Sequence, residues 1–238
     1  MTHRSKRQQK GGERTALPLM CQCPGCNQEV TRGEIFCAHH KTNGCPTKSP
    51  LTGAEPHFAP DEYNGDRAIQ HSHNCFAYAM NVRDGEKIKS CRERNACRFH
   101  VPGKSKGHPD FSGKMGKTCS DVIGRTMADV PEGYLIDFSI PCKKGFSKIA
   151  VVVDEDNDLH YYRQDSNGFW SHKPGGRPVT DKDAVGAKIY DPRRASRYYP
   201  KEDVSDTGLN YDSFCSYMCV PRDKPPQVAG GKTRRRNK

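Results

Sequence analysis

The sequence predicts an α+β fold, with helices early and antiparallel strands late. Three observations lead there. Gly (22) and Pro (17) are plentiful among the 238 residues, which favours short strands and loops over long helices. Capped helix-forming runs come first, at 74–80 and 118–130. Strand-like segments, two of them joined by a strong turn, come only from residue 134 onward, and that order is the α+β pattern.

Residues 1–17 are polar and basic without periodicity and read as a disordered tail. Residues 18–48 are rich in Cys and His and too short for an apolar core. The main domain spans 49–221. Its first part, 49–72, carries Pro50, Pro56, Pro60 and Asn64-Gly65 and reads as an extended connector wrapping the rest of the domain. A helix is expected from Asn74, an N-cap residue placed before Cys75-Phe76-Ala77-Tyr78-Ala79-Met80. Residues 83–118 read as loop. A second helix over 118–130 puts Val122, Ile123 and Met127 on one side. Strands are expected at 134–140, 147–154, 160–164 and 169–173. Ser166-Asn167-Gly168 is a turn that pairs the last two as a hairpin. Residues 214–220 supply a final short strand or helix, and 222–238 a second disordered basic tail.

The net charge is +11, and its location limits its meaning. Residues 1–14 carry +4 and residues 222–238 carry +6. The body between them is close to neutral, which argues against a folded nucleic-acid-reading face. Basic ends of this kind permit non-specific contact with nucleic acid or other polyanions, or simply aid solubility. The longest apolar run, Ile149-Ala150-Val151-Val152-Val153, is strand-sized, so no membrane span is expected. Met1 to Arg7 lead into more polar residues, so no secretory leader is expected and the chain should remain intracellular. Twelve cysteines in such a chain point to a reducing compartment and to metal or catalytic use, not to a disulfide framework.

Cys21-Gln22-Cys23-Pro24-Gly25-Cys26 and Phe36-Cys37-Ala38-His39-His40 offer two ligand pairs around a ten-residue excursion. Zinc takes four tetrahedral thiolate or imidazole ligands, and short Cys/His spacings let one turn supply two. Pro24-Gly25 suits a knuckle turn. The expected set is Cys21 or Cys23, then Cys26, Cys37 and His40, with Cys45 and His39 as spares. Four protein ligands leave no position for a catalytic water, so the zinc is expected to be structural.

Cys75 comes directly after the expected N-cap, where unpaired amides and the helix dipole favour a thiolate. Downstream, a turn centred on Asn167 sets Tyr162 opposite His172 and Gln164 opposite Trp170. Even-numbered side chains then share a face, so His160 and His172 lie on the same side. A helix-start cysteine and two imidazoles on one strand face are the parts of a Cys–His hydrolase.

The string Asn74-Cys75-Phe76-Ala77-Tyr78-Ala79 and the later run from His160 through Asp165, Trp170, His172 and Lys173 to Gly175 resemble an uncharacterised family. Its members are bacterial hypothetical proteins and proteins of large DNA viruses. The similarity continues through Pro178-Val179-Thr180, Asp191-Pro192 and Phe214 to Cys219, and covers most of 72–220. The order of cysteine helix and histidine strand is similar to papain-like enzymes and implies a cysteine peptidase or amidase acting on a protein or peptide. The Cys/His module and Ser72-His73-Asn74-Cys75 look like the viral members, which implies host cytoplasm or virion. In that mechanism His160 takes the Cys75 proton and His172 orients His160, with Asp165 or Gln164 as substitutes. Gln164 or a helix-start amide would hold the oxyanion. The competing expectation is a non-enzymatic virion or nucleic-acid-associated protein on an inactive papain-like scaffold.

Two further features remain. Cys91 with Cys97, and Cys215 with Cys219, read as buried thiols or parts of a second metal site. Lys104, Lys106, Lys114 and Lys117 lie among glycines without a P-loop pattern and read as a loop beside the catalytic cleft.

Overall fold

The β-branched and aromatic residues of the second half pair into one antiparallel sheet, and the helices of the first half cover one of its faces. The computed structural model describes residues 18–111, 117–155, 157–200 and 208–223. The chain runs through α1 (Ala38–Asn43), α2 (Asp61–Asn64), α3 (Arg67–Ser72), α4 (Cys75–Ala79), α5 (Gly85–Arg94), a 3-10 turn (Lys104–Lys106) and α6 (Cys119–Asp129). Then come β1 (Tyr134–Ile136), β2 (Phe146–Asp154), β3 (Asp158–Gln164), β4 (Trp170–His172), β5 (Tyr198–Tyr199), β6 (Leu209–Asn210) and β7 (Ser213–Pro221). Five strands form a sheet in the order β1-β7-β2-β3-β4, and β5 pairs with β6 apart from it. Every pairing is antiparallel.

The two sheet faces arise from strand alternation. Ile149, Val151, Val153, Leu159, Tyr161, Met218 and Val220 pack with Phe76 and Ala79 of α4, Met80 just after it, and Val122 of α6. Ala150, Val152, Tyr162, Trp170 and Tyr217 face the other way, under Ile189, Ala195 and Tyr211. Each fully buried Val or Ile contributes about 1.5–3 kcal/mol. β2 is buried at all nine positions because both of its faces are covered.

The strands stand close to the sequence expectation, although β1 is shorter. The hairpin register is the expected one, Tyr162 opposite His172 and Gln164 opposite Trp170. Both expected helices form. The Asn74 side chain accepts from the Ala77 amide at 3.2 Å, and Thr118 caps α6 through the Asp121 amide at 3.3 Å. Residues 83–118, read as loop, contain α5. Asp84 caps it through the Glu86 and Lys87 amides, and Asn95 ends it at φ 52°. Ile88 and Cys91 are its only apolar residues, too few to make a visible stripe. The connector holds α2 and α3 and still lies along the sheet: Thr52 Oγ1 donates to Phe146 O at 2.6 Å and Ser166 N to Pro56 O at 2.9 Å.

The cysteines correct the expected chemistry. Cys23–Cys45, Cys91–Cys97, Cys119–Cys215 and Cys142–Cys219 are disulfides. The thiols left are Cys21, Cys26, Cys37 and Cys75. Cys91, Cys97, Cys215 and Cys219 are therefore neither buried thiols nor metal ligands. Short spacing along the chain misled because two of the bridges join residues 96 and 77 positions apart. Closing loops of that length removes chain entropy worth about 4–5 kcal/mol each in the simplest model.

The basic tails fall outside the described residues, except for Arg222 and Asp223. Arg222, counted with a disordered tail, is instead docked. Its Nε donates to Ser147 Oγ at 2.7 Å and its Nη1 to Ala79 O at 2.9 Å. Among the described residues no helix is long and apolar enough to cross a membrane.

Candidate metal cluster and histidine pair

The N-terminal module gathers its ligands through two local turns. Cys26 N donates to Cys23 O at 3.1 Å, closing a turn through Gly25 at φ +81°. Cys37 stands at the N-cap of α1, and His40 lies one turn further on the same face. Cys21, Cys26, Cys37 and His40 come together with one ligand atom from each within 4.8 Å of every other. Cys21 Sγ and Cys37 Sγ lie 3.4 and 3.3 Å from His40 Nδ1, and Cys26 Sγ lies 3.8 Å from Cys37 Sγ. A tetrahedron of thiolates bound at about 2.3 Å has sulfur–sulfur edges of about 3.8 Å. The donors thus have the chemistry and the spacing to hold one metal ion. The His40 backbone amide draws the Cys37 thiol below its ordinary range, while burial raises that of Cys21.

Cys23, expected as a possible ligand, is excluded by its bridge to Cys45, which also removes that spare. His39 turns away and contacts Asn43. The module is fastened to the body by Gln22, between Cys21 and Cys23. Gln22 Nε2 donates to Lys188 O at 3.1 Å, and its Oε1 accepts from Tyr190 N at 2.6 Å and Asp191 N at 3.2 Å. Arg194 donates to the carbonyls of Cys21 and Cys26.

On the sheet face opposite the helices, β3 and β4 bring His160 and His172 together. His160 Nε2 and His172 Nδ1 are 2.7 Å apart, and His172 Nε2 is 2.8 Å from Lys182 O. A carbonyl only accepts, so His172 Nε2 carries the hydrogen and its Nδ1 is bare while the ring is neutral. His160 Nε2 must then donate, which leaves His160 Nδ1 as a free base. Both rings are neutral at pH 7. Burial brings His172 down to about 4, and burial with the neighbouring His172 sends His160 well below its ordinary value. Tyr162 and Tyr211 complete the surroundings, with ring centroids 5.0 and 5.3 Å from that of His160.

Cys75 sits at the first position of α4, against the edge of β3 beyond the end of β4. Its Sγ lies 4.0 Å from Leu159 O, the carbonyl just before His160. The Tyr161 amide, just after His160, also favours its thiolate. Sulfur and imidazole therefore flank the same stretch of strand, but no hydrogen bond joins them. Burial dominates the thiol and pushes it up to about 12. Cys75 therefore rests as a thiol, not as the thiolate that the helix start led the sequence to suggest. α4 is only five residues long, and its start does not outweigh desolvation.

Gln164 and Asp165 are not part of this site. Four residues along the strand is about 13 Å. Gln164 is spent on the connector, accepting from Ser49 Oγ at 3.1 Å and donating to Ser49 O at 3.0 Å. Asp165 accepts from Arg163 Nε at 2.9 Å. Of the lysine stretch, Lys114 lies outside the described residues. Lys104 pairs with Asp110 at 2.9 Å, and Lys117 holds Asn157 O, close to the start of β3. Sequence reasoning missed Lys182 as the source of the carbonyl that orients His172. No side-chain type marks a backbone acceptor.

No family model matches the chain, and no solved structure does. Over 142 residues the chain is 32% identical to insoluble matrix shell protein 1 of Ruditapes philippinarum. The match covers 59% of this chain and 80% of that protein.

Proposed function

The chain belongs to the family of insoluble matrix shell protein 1, and within it we propose a cysteine-dependent hydrolase, a peptidase or amidase, on a papain-like core. The observation that carries this reading is the hydrogen-bond series from His160 through His172 to Lys182 O. It leaves a bare imidazole nitrogen on the strand whose edge the Cys75 sulfur touches. His160 Nδ1 takes the proton from Cys75 as Sγ bonds to an amide carbonyl carbon. His160 then returns that proton to the leaving amine, and water hydrolyses the thioester. Because both groups rest neutral, the thiolate forms in the step itself. A single polypeptide with four disulfides also supports an oxidising compartment, against the intracellular or viral setting expected from the sequence.

The metal is proposed to be zinc, held by Cys21, Cys26, Cys37 and His40 as a structural staple. Three thiolates and one imidazole at tetrahedral spacing suit zinc, and a closed set leaves no open position. The basic ends would add salt-sensitive contact with polyanions such as nucleic acid.

A second reading is a scaffold without chemistry, favoured by the relative's name and by the four bridges. Alkylation separates the two. With the metal cluster loaded, the hydrolase reading expects iodoacetamide to modify Cys75 first, with His160→Ala slowing this at least about 100-fold. A Cys75 that reacts only in denaturant, equally in both proteins, leaves the scaffold.

A further inference from the structure

Where the Cys/His module meets the body, the two leave a groove between them. It encloses about 590 Å³, within the roughly 300–1,000 Å³ of ordinary ligand sites. Leu19, Met20 and Val30 make the module's wall apolar, and Ala184, Val185 and Tyr198 do the same for the body's. Cys75 and His160 are not among the lining residues, so the groove does not depend on the hydrolase reading.

Its charge is one-sided. Asp191 fixes a turn that presents three arginines: its Oδ1 accepts from Arg193 N at 2.9 Å, and its carbonyl from Arg194 N and Ala195 N at 3.0 and 2.9 Å. Arg193, Arg194 and Arg197 of that turn line the groove together with Arg32 of the module. Arg194 Nε donates to Cys21 O and Arg197 Nε to Tyr211 O, both at 2.7 Å. A carbonyl carries no net charge, so it orients a guanidinium without neutralising it. Arg32 and Arg193 are exposed and have no ion pair among the described residues. The acids nearby are mostly engaged. Glu34 pairs with Lys41 at 2.6 Å, and buried Asp183 accepts from the Val185, Ala187 and Ser196 amides. Asp191 is buried and accepts from the Tyr217 hydroxyl as well as the Arg193 amide. Asp212 is the one exposed acid of the lining. Guanidinium forks match carboxylates, and arginine clusters of this kind read acidic motifs. The walls are mainly aliphatic, which suits peptide side chains better than stacked bases.

We infer that this groove docks an acidic segment of a partner protein, with its Asp or Glu carboxylates on Arg32 and Arg193 and its apolar side chains between Leu19 and Val185. The test is fluorescence anisotropy of the full chain with a labelled hexapeptide, Glu-Leu-Glu-Val-Glu-Leu, at about 0.15 M salt. The same peptide with Gln for Glu is the neutral probe and should bind weakly. Because the basic ends attract any polyanion, two double variants separate site from net charge. Arg32→Ala with Arg193→Ala removes two charges from the groove, and Lys89→Ala with Arg94→Ala removes two from α5, outside it. All four side chains are exposed, so both variants should keep the fold. The groove pair should weaken the hexapeptide about tenfold, and the α5 pair less than about twofold. Equal losses in the two would mean attraction to net charge alone and overturn the proposal. In the unaltered protein, the amide signals of Leu19 and Val185, on opposite walls, should both shift as the hexapeptide is added. A titration that moves neither overturns it too. Single-stranded oligothymidylate that binds tighter than the hexapeptide, and loses as much in the groove pair, would give the groove to nucleic acid and overturn the choice of a peptide.

Discussion

The Cys/His module and the histidine pair use the same side chains in opposite surroundings. In the module, Cys26 and His40 are half-buried, and the ligands lie between residues 21 and 40. In the body, His160 and His172 are 4% and 1% exposed, and the sulfur comes from a helix 85 positions before His160. The first region is built by turns and gathers donors that can hold an ion. The second is built by sheet register and keeps its groups neutral through burial. Spacing along the chain organises one and packing the other, so the two should fail under different insults.

The largest expected effect is metal loss. Cys37→Ser removes the ligand at the start of α1, and structural zinc is worth about 10 kcal/mol or more to small modules. Hydrogen exchange should show the amides of Cys21, Gln22 and Val30, all paired within the module, losing protection. β2 amides should keep theirs, because the sheet is closed by its own core and by Cys119–Cys215 and Cys142–Cys219. Loss of protection in β2 as well would break the comparison.

Acid should act on the body instead. His73 and His172 are brought down to about 4 by burial, and burial with the neighbouring His172 sends His160 well below its ordinary value. Their folded values lie below the unfolded value of about 6.5. Above that pH all three are neutral in both states, and their contribution is complete. As pH falls from about 6.5 toward 4 the unfolded chain takes protons first, so stability is lost through that window. Each histidine steepens the loss by about 1.4 kcal/mol per pH unit. Urea midpoints followed by Trp170 fluorescence should drop across the window, and His73→Asn should flatten the slope by one proton. A midpoint flat from pH 7 to 4 would show that these rings charge without cost.

The same contrast explains what the sequence disclosed. Cys21, Cys26, Cys37 and His40 were legible because their geometry is local, while the choice between Cys21 and Cys23 and the exclusion of Cys45 and His39 needed the fold. The meeting of His160 and His172 was legible because Asn167-Gly168 fixes the turn, the turn fixes the register, and alternation fixes the face. Cys119–Cys215 and Cys142–Cys219 were not, since nothing local selects partners across 96 and 77 positions. α5 was hidden by its polarity. The thiol of Cys75 was misjudged because a helix start is visible in sequence and the apolar packing that outweighs it is not.

The smallest effect sharpens the boundary between the regions. Gln22 is 2% exposed and makes three hydrogen bonds to Lys188, Tyr190 and Asp191. Gln22→Ala should cost about 1–3 kcal/mol, since it leaves buried amides unpaired. The Tyr190 and Asp191 amides should exchange faster. The disturbance should stop there, although Lys188 bridges to Lys182, whose carbonyl orients His172. His172 and Thr180 exchange two backbone bonds of 2.9 and 3.0 Å that do not involve Gln22. These hold the Lys182 carbonyl in place, so nitrogen NMR should still find His172 protonated at Nε2 alone. A mixture of tautomers in Gln22→Ala would mean that the module sets the base as well as its own ligands.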